Sequence, residues 1–252
     1  MINDYVALDL ETTGLEPKND KIIEVGAVRV RNGKIVNRYQ TLIQPGREIS
    51  SRIEELTGIS QNDVEAAPFV EDKIKDILKF IGEDILLGHS VLFDYSFLKR
   101  VAVNQRMQFE KKAVDTLHLS RIYLADLPSR NLHQLCLHFQ IEHKEHRALE
   151  DAIATHELYQ KLLQTFYKEK EEKNFTPHSL CYKVKREGPA TNAQKERLYR
   201  MREVHKINTE ISIERLTKNE ASRLIDQMIA QYGRDLPALS IAPGVELLRN
   251  EE

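Results

Sequence analysis

The spacing of apolar positions along the chain alternates between a period of two and a period near 3.6, which indicates strands interspersed with helices. Residues 5–11 (YVALDLE) are apolar and β-prone, and we expect a strand there. Two more strands are predicted within residues 21–45, joined at Asn32 and Gly33, a dipeptide typical of tight hairpin turns. These three strands predict an antiparallel start to a sheet.

Helices and strands alternate after this hairpin. Ser51, three residues before Glu54, predicts a capping box, and Gly58 is expected to end that short helix. Apolar residues at helical spacing predict a helix over residues 69–81. The later elements predicted are a strand at 84–90, a helix at 94–105, a strand at 112–116 and helices at 131–139 and 146–167. This order predicts an α/β fold, with a mixed sheet flanked by helices on both faces.

The character of the chain changes at residue 168. The next residues are charged, non-periodic and contain proline, which is typical of a linker, although the segment HSLCYKV is also able to pair as an isolated strand. Thr191 with Gln194, and Thr217 with Glu220, predict two capping boxes, each opening an amphipathic helix. We therefore expect a domain at 1–167, a linker at 168–190, a small helical C-terminal appendage at 191–235 and a loosely ordered tail at 236–252.

Composition excludes several classes of protein. Hydrophobic residues make up 41% and charged residues 30% of the chain, which is ordinary for a globular protein and unlike a disordered or fibrous one. The two cysteines, Cys136 and Cys181, form no CxxC motif, which argues against a disulfide framework or a zinc site. No apolar run approaches the roughly 20 residues that a membrane-spanning helix needs. We expect a cytoplasmic protein with no membrane partner.

Two acids interrupt the first predicted strand. Asp9 and Glu11 are one residue apart, so both side chains point to the same face of the strand. No lysine or arginine stands beside them in the sequence. Because an unpaired buried carboxylate is costly, a positive charge from elsewhere is expected to meet this pair.

Three further polar residues occupy similar positions. Asp94 follows a predicted buried strand and opens a helix, and His146 stands five residues before Asp151 at the start of the last long helix. Each residue has an ordinary structural explanation when taken alone. An acid is favourable at a helix N-terminus, a helix acid is often solvated, and a histidine in a charged run is often on the surface.

The order of these motifs resembles the DnaQ-like (DEDDh) family of 3′-to-5′ exonucleases. The segments DLETTGL (9–15), ELTGI (55–59), GHSVLFDYSFL (88–98) and HRALEDA (146–152) match the family's motifs, and the resemblance extends over about residues 4–165. All the acidic positions of the motifs are filled, and Ser90 stands where many relatives carry asparagine. The resemblance implies a ribonuclease-H-like fold.

The same resemblance implies a ligand set for two divalent ions, Mg²⁺ or Mn²⁺. Asp9 is expected to bridge both ions, Glu11 and Asp151 to complete the nucleophile-side ion, and Asp94 to serve the other through water. His146 is expected to accept a proton from the attacking water. Two such ions promote in-line attack on a phosphodiester and stabilise the leaving oxygen, and hard cations prefer carboxylate ligands.

Residues around the acids are expected to contact the substrate. The resemblance assigns Thr12 and Thr13 to the terminal nucleotide, Leu15 to the last base, and His89 and Phe93 to the lining of the site. Packing between strand and loop is the alternative for the first three, and a core position is the alternative for Phe93. Asp115 is expected to cap a helix and not to bind metal.

The function implied is a metal-dependent 3′-to-5′ exonuclease that releases nucleoside 5′-monophosphates from single-stranded 3′ ends, with DNA favoured. A polymerase or another protein of DNA metabolism is a candidate partner. An RNA-trimming exoribonuclease is the alternative within this class, and a non-catalytic nucleic-acid-binding scaffold is the alternative outside it.

Overall fold

The structure is a computed structural model of the 252-residue chain, and it describes residues 1–143, 146–207 and 211–233. The chain divides into two compact units, Met1–Glu187 and Gly188–Glu252. Each unit contains its own cluster of buried apolar side chains. Within the described ranges, no helix is long and apolar enough to cross a membrane.

A six-stranded sheet forms the centre of the first unit, and its spatial order is β3-β2-β1-β4-β5-β6. The strands are β1 (Tyr5–Thr12), β2 (Ile22–Arg31), β3 (Lys34–Leu42), β4 (Leu86–Gly88), β5 (Lys112–Asp115) and β6 (His178–Ser179). β2 is antiparallel to β1 and β3, β4 is parallel to β1 and β5, and β6 is antiparallel to β5. The predicted mixed sheet is confirmed.

The hairpin between β2 and β3 forms where the sequence predicts it. Asn32 and Gly33 both have positive φ, at 50° and 72°, as a two-residue turn of the type favoured by strand twist requires. The hairpin leaves β3 at one edge of the sheet.

Seven α-helices of this unit fall within the described residues, and they cover both faces of the sheet. They are α1 (Ser51–Thr57), α2 (Gln61–Glu65), α3 (Val70–Ile81), α4 (Leu92–Asn104), α5 (Thr116–Tyr123), α6 (Leu132–Phe139) and α7 (Ala148–Phe166). Val6 and Leu8 of β1 are buried in one cluster with apolar residues of α3 and α4. Tyr5 and Ala7 are buried in another cluster with residues of α5, α6 and α7. Because side chains alternate along a strand, the later odd-numbered residues of β1 also face α7.

The capping box predicted for α1 at Ser51 and Glu54 is wrong. The N-cap is Ser50, not Ser51, and its side chain makes no capping hydrogen bond. A complete capping box opens α2 instead, where Ser60 and Asp63 bond each other's backbone N–H groups. Gly58 ends α1 in the left-handed conformation, with φ of 66°, as predicted.

Most of the segment predicted as a linker belongs to the first unit. Residues Glu169–Phe175 form a 3₁₀ helix, and Phe175 is fully buried beside the ring of Tyr123. β6 then pairs with β5, and Arg100 forms an ion pair with Glu187 at 2.8 Å. The boundary between the two units therefore lies after residue 187, because isolated apolar residues in this charged stretch find distant partners in the core.

The second unit contains the two helices that the sequence predicts. These are α8 (Asn192–Val204) and α9 (Lys218–Tyr232), and both predicted capping boxes are present, at Thr191 and Thr217. Their facing apolar residues form a small core that includes Leu198 and Ile225. The predicted tail at 236–252, and the last two residues predicted for the helical appendage, lie outside the described residues.

Candidate active site

Asp9 and Glu11 lie at the carboxyl end of β1, on the face of the sheet that α7 covers. Both residues are partly buried. Glu11 is paired with Glu24 across the β1–β2 ladder, and the register of the ladder shifts immediately after Glu11. Such irregularities re-aim side chains at the end of a strand, and here the irregularity marks the edge of the site.

Asp151 joins these two acids from the first turn of α7. Carboxylate oxygens of Asp9, Glu11 and Asp151 all lie within 4.8 Å of one another. Within the described part of the chain, no other three histidine, cysteine or acidic side chains bring ligand atoms this close together. Three clustered carboxylates without a thiolate are a donor set that suits a hard divalent cation.

Asp94, the fourth predicted acid, lies beside this trio but is not part of it. It is in the first turn of α4, only 3% exposed, and its Oδ1 accepts a 3.0 Å hydrogen bond from the backbone N–H of Leu10. This bond ties the start of α4 to β1 between Asp9 and Glu11. Burial raises the pKa of Asp94 well above its ordinary range, partly offset by the backbone N–H donors.

The acids repel one another in a poorly solvated place. Burial raises the pKa of Asp9 well above its ordinary range, and the nearby carboxylates of Asp94, Asp151 and Glu11 raise it further. Burial, followed by the charges of Asp151 and Glu24, raises the pKa of Glu11 to about 8. A divalent cation relieves both causes at once, because it supplies opposite charge and is coordinated by the oxygens.

Glu24 is a buried acid that the sequence analysis missed. Its side chain is fully buried on β2, yet it accepts hydrogen bonds from the guanidinium of Arg147 at 2.9 Å, the amide of Gln40 at 2.8 Å and the backbone N–H of Ala148 at 3.0 Å. Ala148 is the first residue of α7. Glu24 therefore attaches the start of the helix that carries Asp151 to the central sheet.

Gly26, two residues further along β2, allows this helix to approach closely. A Cβ atom at this position would lie 2.1 Å from the backbone carbon of Ala148 and the backbone nitrogen of Leu149. No larger residue fits between the strand and the helix without moving one of them. Glu24 and Gly26 have only a weak signal in the sequence: an acid and a glycine stand within a run of mostly β-branched residues.

Two histidines precede α7. His146, the predicted base, is partly buried and has a positive φ of 62°, an unusual conformation for a residue with a side chain. His143, which was not predicted, contacts one of the acids, because its Nε2 hydrogen-bonds Oδ1 of Asp151. This bond raises the pKa of His143 to about 10.

The predicted substrate residues on the loop after β1 differ in their surroundings. The hydroxyl of Thr12 donates a 2.7 Å hydrogen bond to the carbonyl oxygen of Gly14, and the hydroxyl of Thr13 accepts one of 3.0 Å from the backbone N–H of Lys21. Both hydroxyls therefore support the loop. Leu15 is 82% exposed, so its apolar side chain is available at the surface of the loop that follows β1.

His89 directly follows β4, and Phe93 is in the first turn of α4. His89 bonds the hydroxyl of Thr116 and the carbonyl oxygen of Arg130, each at 2.9 Å, so both ring nitrogens have structural partners. Phe93 is partly buried and packs against the core cluster that contains α3 and α4. Its position agrees with the core role that the sequence left open.

Asp115 caps α5, as predicted. Its carboxylate accepts hydrogen bonds from the backbone N–H groups of Leu117 and His118, and a third of 3.0 Å from that of Ser90. The cap therefore also fixes the loop that follows β4.

The comparisons with known proteins agree with this architecture. A family model described as Exonuclease matches residues 6–159. The DNA polymerase III PolC-type of Caldanaerobacter subterraneus subsp. tengcongensis is 41% identical over 162 residues, which are 64% of this chain and 12% of that protein. The DNA polymerase III subunit epsilon of Aquifex aeolicus is 33% identical over 165 residues, 65% of this chain and 82% of that protein. The chain thus spans about an eighth of the PolC-type relative's length.

Solved structures show the same fold. Exonuclease X in complex with 5′ overhanging duplex DNA has a TM-score of 0.52 and 24% identity, over 66% of this chain and 95% of that one. An E. coli Exonuclease I complex with single-stranded DNA has a TM-score of 0.60 and 19% identity, over 69% of this chain and 42% of that one. These similarities confirm the predicted ribonuclease-H-like fold. With a family model that matches more than half of its length, the chain belongs to the exonuclease family, in agreement with the resemblance of its motifs to the DnaQ-like enzymes.

Proposed function

We propose that this chain is a metal-dependent 3′-to-5′ exonuclease that hydrolyses single-stranded 3′ ends and releases nucleoside 5′-monophosphates. The observation that carries the proposal is the group of three carboxylates, from β1 and α7, within 4.8 Å of one another. The raised pKa values of Asp9 and Glu11, and the oxygen-only donors of all three residues, fit divalent cations such as Mg²⁺ or Mn²⁺. When bound, two such ions supply the Lewis acidity that phosphodiester hydrolysis requires.

The residues have distinct proposed roles. Asp9, Glu11 and Asp151 would hold the nucleophile-side ion, and Asp9 together with Asp94 would hold the second ion. His146 takes the proton from the attacking water, as a histidine does near neutral pH.

The residues that frame the acids are proposed to hold the 3′ end. Leu15, exposed on the loop that follows β1, provides an apolar surface for the terminal base, as apolar and aromatic side chains do in other nucleic-acid sites. Thr12 and Thr13 present the loop backbone to the last nucleotide, while His89 and Phe93 line the site.

DNA is the favoured substrate. Two relatives are named as DNA polymerase III proteins, and two of the solved neighbours are described as complexes with DNA. We extend these properties to this chain as a proposal, together with a polymerase or another protein of DNA metabolism as partner and the cytoplasm as the place of action.

The test is digestion of labelled DNA and RNA strands of one sequence, with Mg²⁺ or Mn²⁺ and with EDTA. We expect stepwise shortening from the 3′ end of DNA, nucleoside 5′-monophosphates as products and no reaction in EDTA. Asp9→Ala should abolish hydrolysis and keep the fold. The matched control is Asp76→Ala, which removes an exposed acid whose ion pair lies on the surface of α3.

Three outcomes would contradict parts of the proposal. Full activity in Asp9→Ala would exclude the acid cluster as the catalytic centre. Faster digestion of RNA than of DNA would favour the exoribonuclease. Binding of strands without hydrolysis in any divalent ion would favour the scaffold.

A further inference from the structure

A cleft of about 600 Å³ opens beside the start of α4, between α5 and β6. We call it the α5–β6 cleft. The residues of its lining that matter below are Ser90, Leu92, His118, Arg121, His178 and Ser179. All of them belong to the first unit.

The cleft is rich in hydrogen-bond donors. His118 and Arg121 are three residues apart on α5, so they lie on one face of that helix, and both are exposed. His178 and Ser179 form β6 and are also exposed. Within the described part of the chain, these four side chains make no hydrogen bond or ion pair with the protein. They are therefore available to a ligand.

The acid in the wall of the cleft is held by backbone donors and not by Arg121. The carboxylate of Asp115 accepts hydrogen bonds from three backbone N–H groups, and it forms no ion pair with Arg121. The remaining polar lining favours an anion, and a guanidinium matches the oxygens of a phosphate well.

A bound metal ion is a poorer explanation of the same residues. Histidines, Asp115 and Cys181 all line the cleft, and each is a residue type that binds metal. Among the described residues, however, only the acid trio brings three ligand atoms within 4.8 Å. The cleft residues are too widely spaced for such a centre.

The Asp115 side of the cleft lies at the same edge of the sheet as the acids. β1, β4 and β5 are parallel, so their carboxyl ends meet at one edge, where ligands commonly bind in α/β sheets. β1 and β5 are two strand spacings apart, about 10 Å. Burial lowers the pKa of His89, and Asp115 and Arg121 from the cleft and Asp151 from the acid trio all lie near enough to alter it further. His89 is therefore within electrostatic reach of residues from both sites.

We propose that the α5–β6 cleft binds a backbone phosphate of the substrate strand, on the 5′ side of the bond that is cleaved. This inference rests on the proposed function. Arg121 supplies the charge, and His118, His178 and Ser179 supply further donors. Leu92, 45% exposed at the rim, offers an apolar contact to a base or sugar.

Only part of the cleft is formed by residues that the family model matches. Its α5 side lies within the residues that the family model matches, whereas β6 lies beyond residue 159. The segment after α7 thus has a proposed role in holding the strand, besides extending the sheet.

The test is binding of a fluorescent eight-nucleotide DNA strand in EDTA, measured by anisotropy for wild type and Arg121→Ala. We expect about tenfold weaker binding in the variant, as for the loss of one charged hydrogen-bonding contact, and a salt dependence that is shallower by about one phosphate. His178→Ala should weaken binding by about threefold. The matched control is Arg38→Ala, which changes an exposed arginine on β3, at the opposite edge of the sheet.

Binding of a single nucleotide shows whether Arg121→Ala affects only the cleft or disturbs the protein in general. Thymidine 5′-monophosphate with Mn²⁺ reaches only the acids, so its affinity should be equal in wild type and Arg121→Ala. Wild-type affinity of Arg121→Ala for the eight-nucleotide strand, or an equal loss for the mononucleotide, would overturn the proposal. Because strand binding in EDTA does not depend on hydrolysis, a protein that cleaves nothing would contradict the proposed function alone. The binding comparison would still decide the role of the cleft.

Discussion

The carboxylate of Glu24 holds the guanidinium of Arg147 with one hydrogen bond of 2.9 Å and a second of 3.3 Å. The two residues are 123 positions apart in the chain, and the bond joins β2 to the residue before α7. Glu24 is fully buried, whereas the side chain of Arg147 is 39% exposed. Substitution of Arg147 and substitution of Glu24 should therefore lower the free energy of unfolding by different amounts.

Removing Arg147 should destabilise the fold more than removing the charge of Glu24. Arg147→Met leaves a buried carboxylate with only neutral donors, and we expect a loss of about 3 kcal/mol in the free energy of unfolding. Glu24→Gln leaves an arginine that water reaches, and we expect a loss of about 1 kcal/mol. Urea unfolding measures both values. Lys73→Met, which breaks the exposed pair with Asp76, should change stability by less than about 0.5 kcal/mol, and the reverse order of the first two losses would contradict this account.

Gly26→Ala should damage the site more than the fold. The added Cβ meets the backbone of α7, which must shift and carry Asp151 with it. A displacement of about 1 Å is expected to lower kcat/KM about 100-fold, together with a weaker affinity for Mn²⁺ measured by calorimetry. Gly188→Ala is the control, because a Cβ there meets nothing within 4 Å. Normal Mn²⁺ affinity and turnover in Gly26→Ala would show that the close contact has no role in placing Asp151.

The metal-free protein should become less stable as the pH rises from 5 to 8. The folded state raises the pKa of Glu11 from its ordinary 4.5 to about 8, so between these values it binds more protons than the unfolded chain does. Stability therefore falls with rising pH in this window, by at most about 1.4 kcal/mol per pH unit for one such group. Urea unfolding in EDTA at several pH values measures the slope.

Two additions sharpen that pH experiment. Mg²⁺ or Mn²⁺ should restore stability most at pH 8, where the acids are ionised. Asp9→Asn should make the slope shallower, because it removes a group that is itself protonated in the fold and a charge that acts on Glu11. Stability that rises with pH in EDTA would contradict the raised pKa values.

The two histidines before α7 should differ in their effect on turnover. His146→Ala is expected to lower kcat by about 100-fold or more while Mn²⁺ still binds, as for the loss of a general base. His143→Ala removes a contact to a carboxylate, and we expect less than about a tenfold change in kcat. His138→Ala, on the exposed side of α6, is the control. A larger loss in His143→Ala than in His146→Ala would assign the proton transfer to His143.

Local patterns were sufficient to predict the parts of the site that follow from periodicity. The alternation of side chains in β1 places Asp9 and Glu11 on one face, and the apolar spacing of α7 places Asp151 in its first turn. The turn at Asn32 and Gly33 and both capping boxes of the second unit follow from short-range chemistry. These features depend on residues that are close together in the sequence, so they can be predicted from the sequence alone.

The features that were missed depend on distant partners. Glu24 stands in a run of β-branched residues without a nearby cation, and its partner Arg147 is known only once the fold is known. β6 has two residues, too few for any periodic signal, and it forms because β5 has an unpaired edge. The contact of His143 with Asp151 depends on the path of the loop before α7, which no pattern of apolar residues encodes.

The short strand β6 also protects the molecule from association with itself. Without the residues after α7, N–H and C=O groups along the outer side of β5 would lose their partners. Phe175 would also be absent, which would expose the ring of Tyr123. An unpaired strand edge next to exposed aromatic rings is a template for aggregation. The shortest form of the first unit that resists aggregation is therefore expected to end at Glu187. A form that ends at α7, the last helix of the family match, is expected to aggregate.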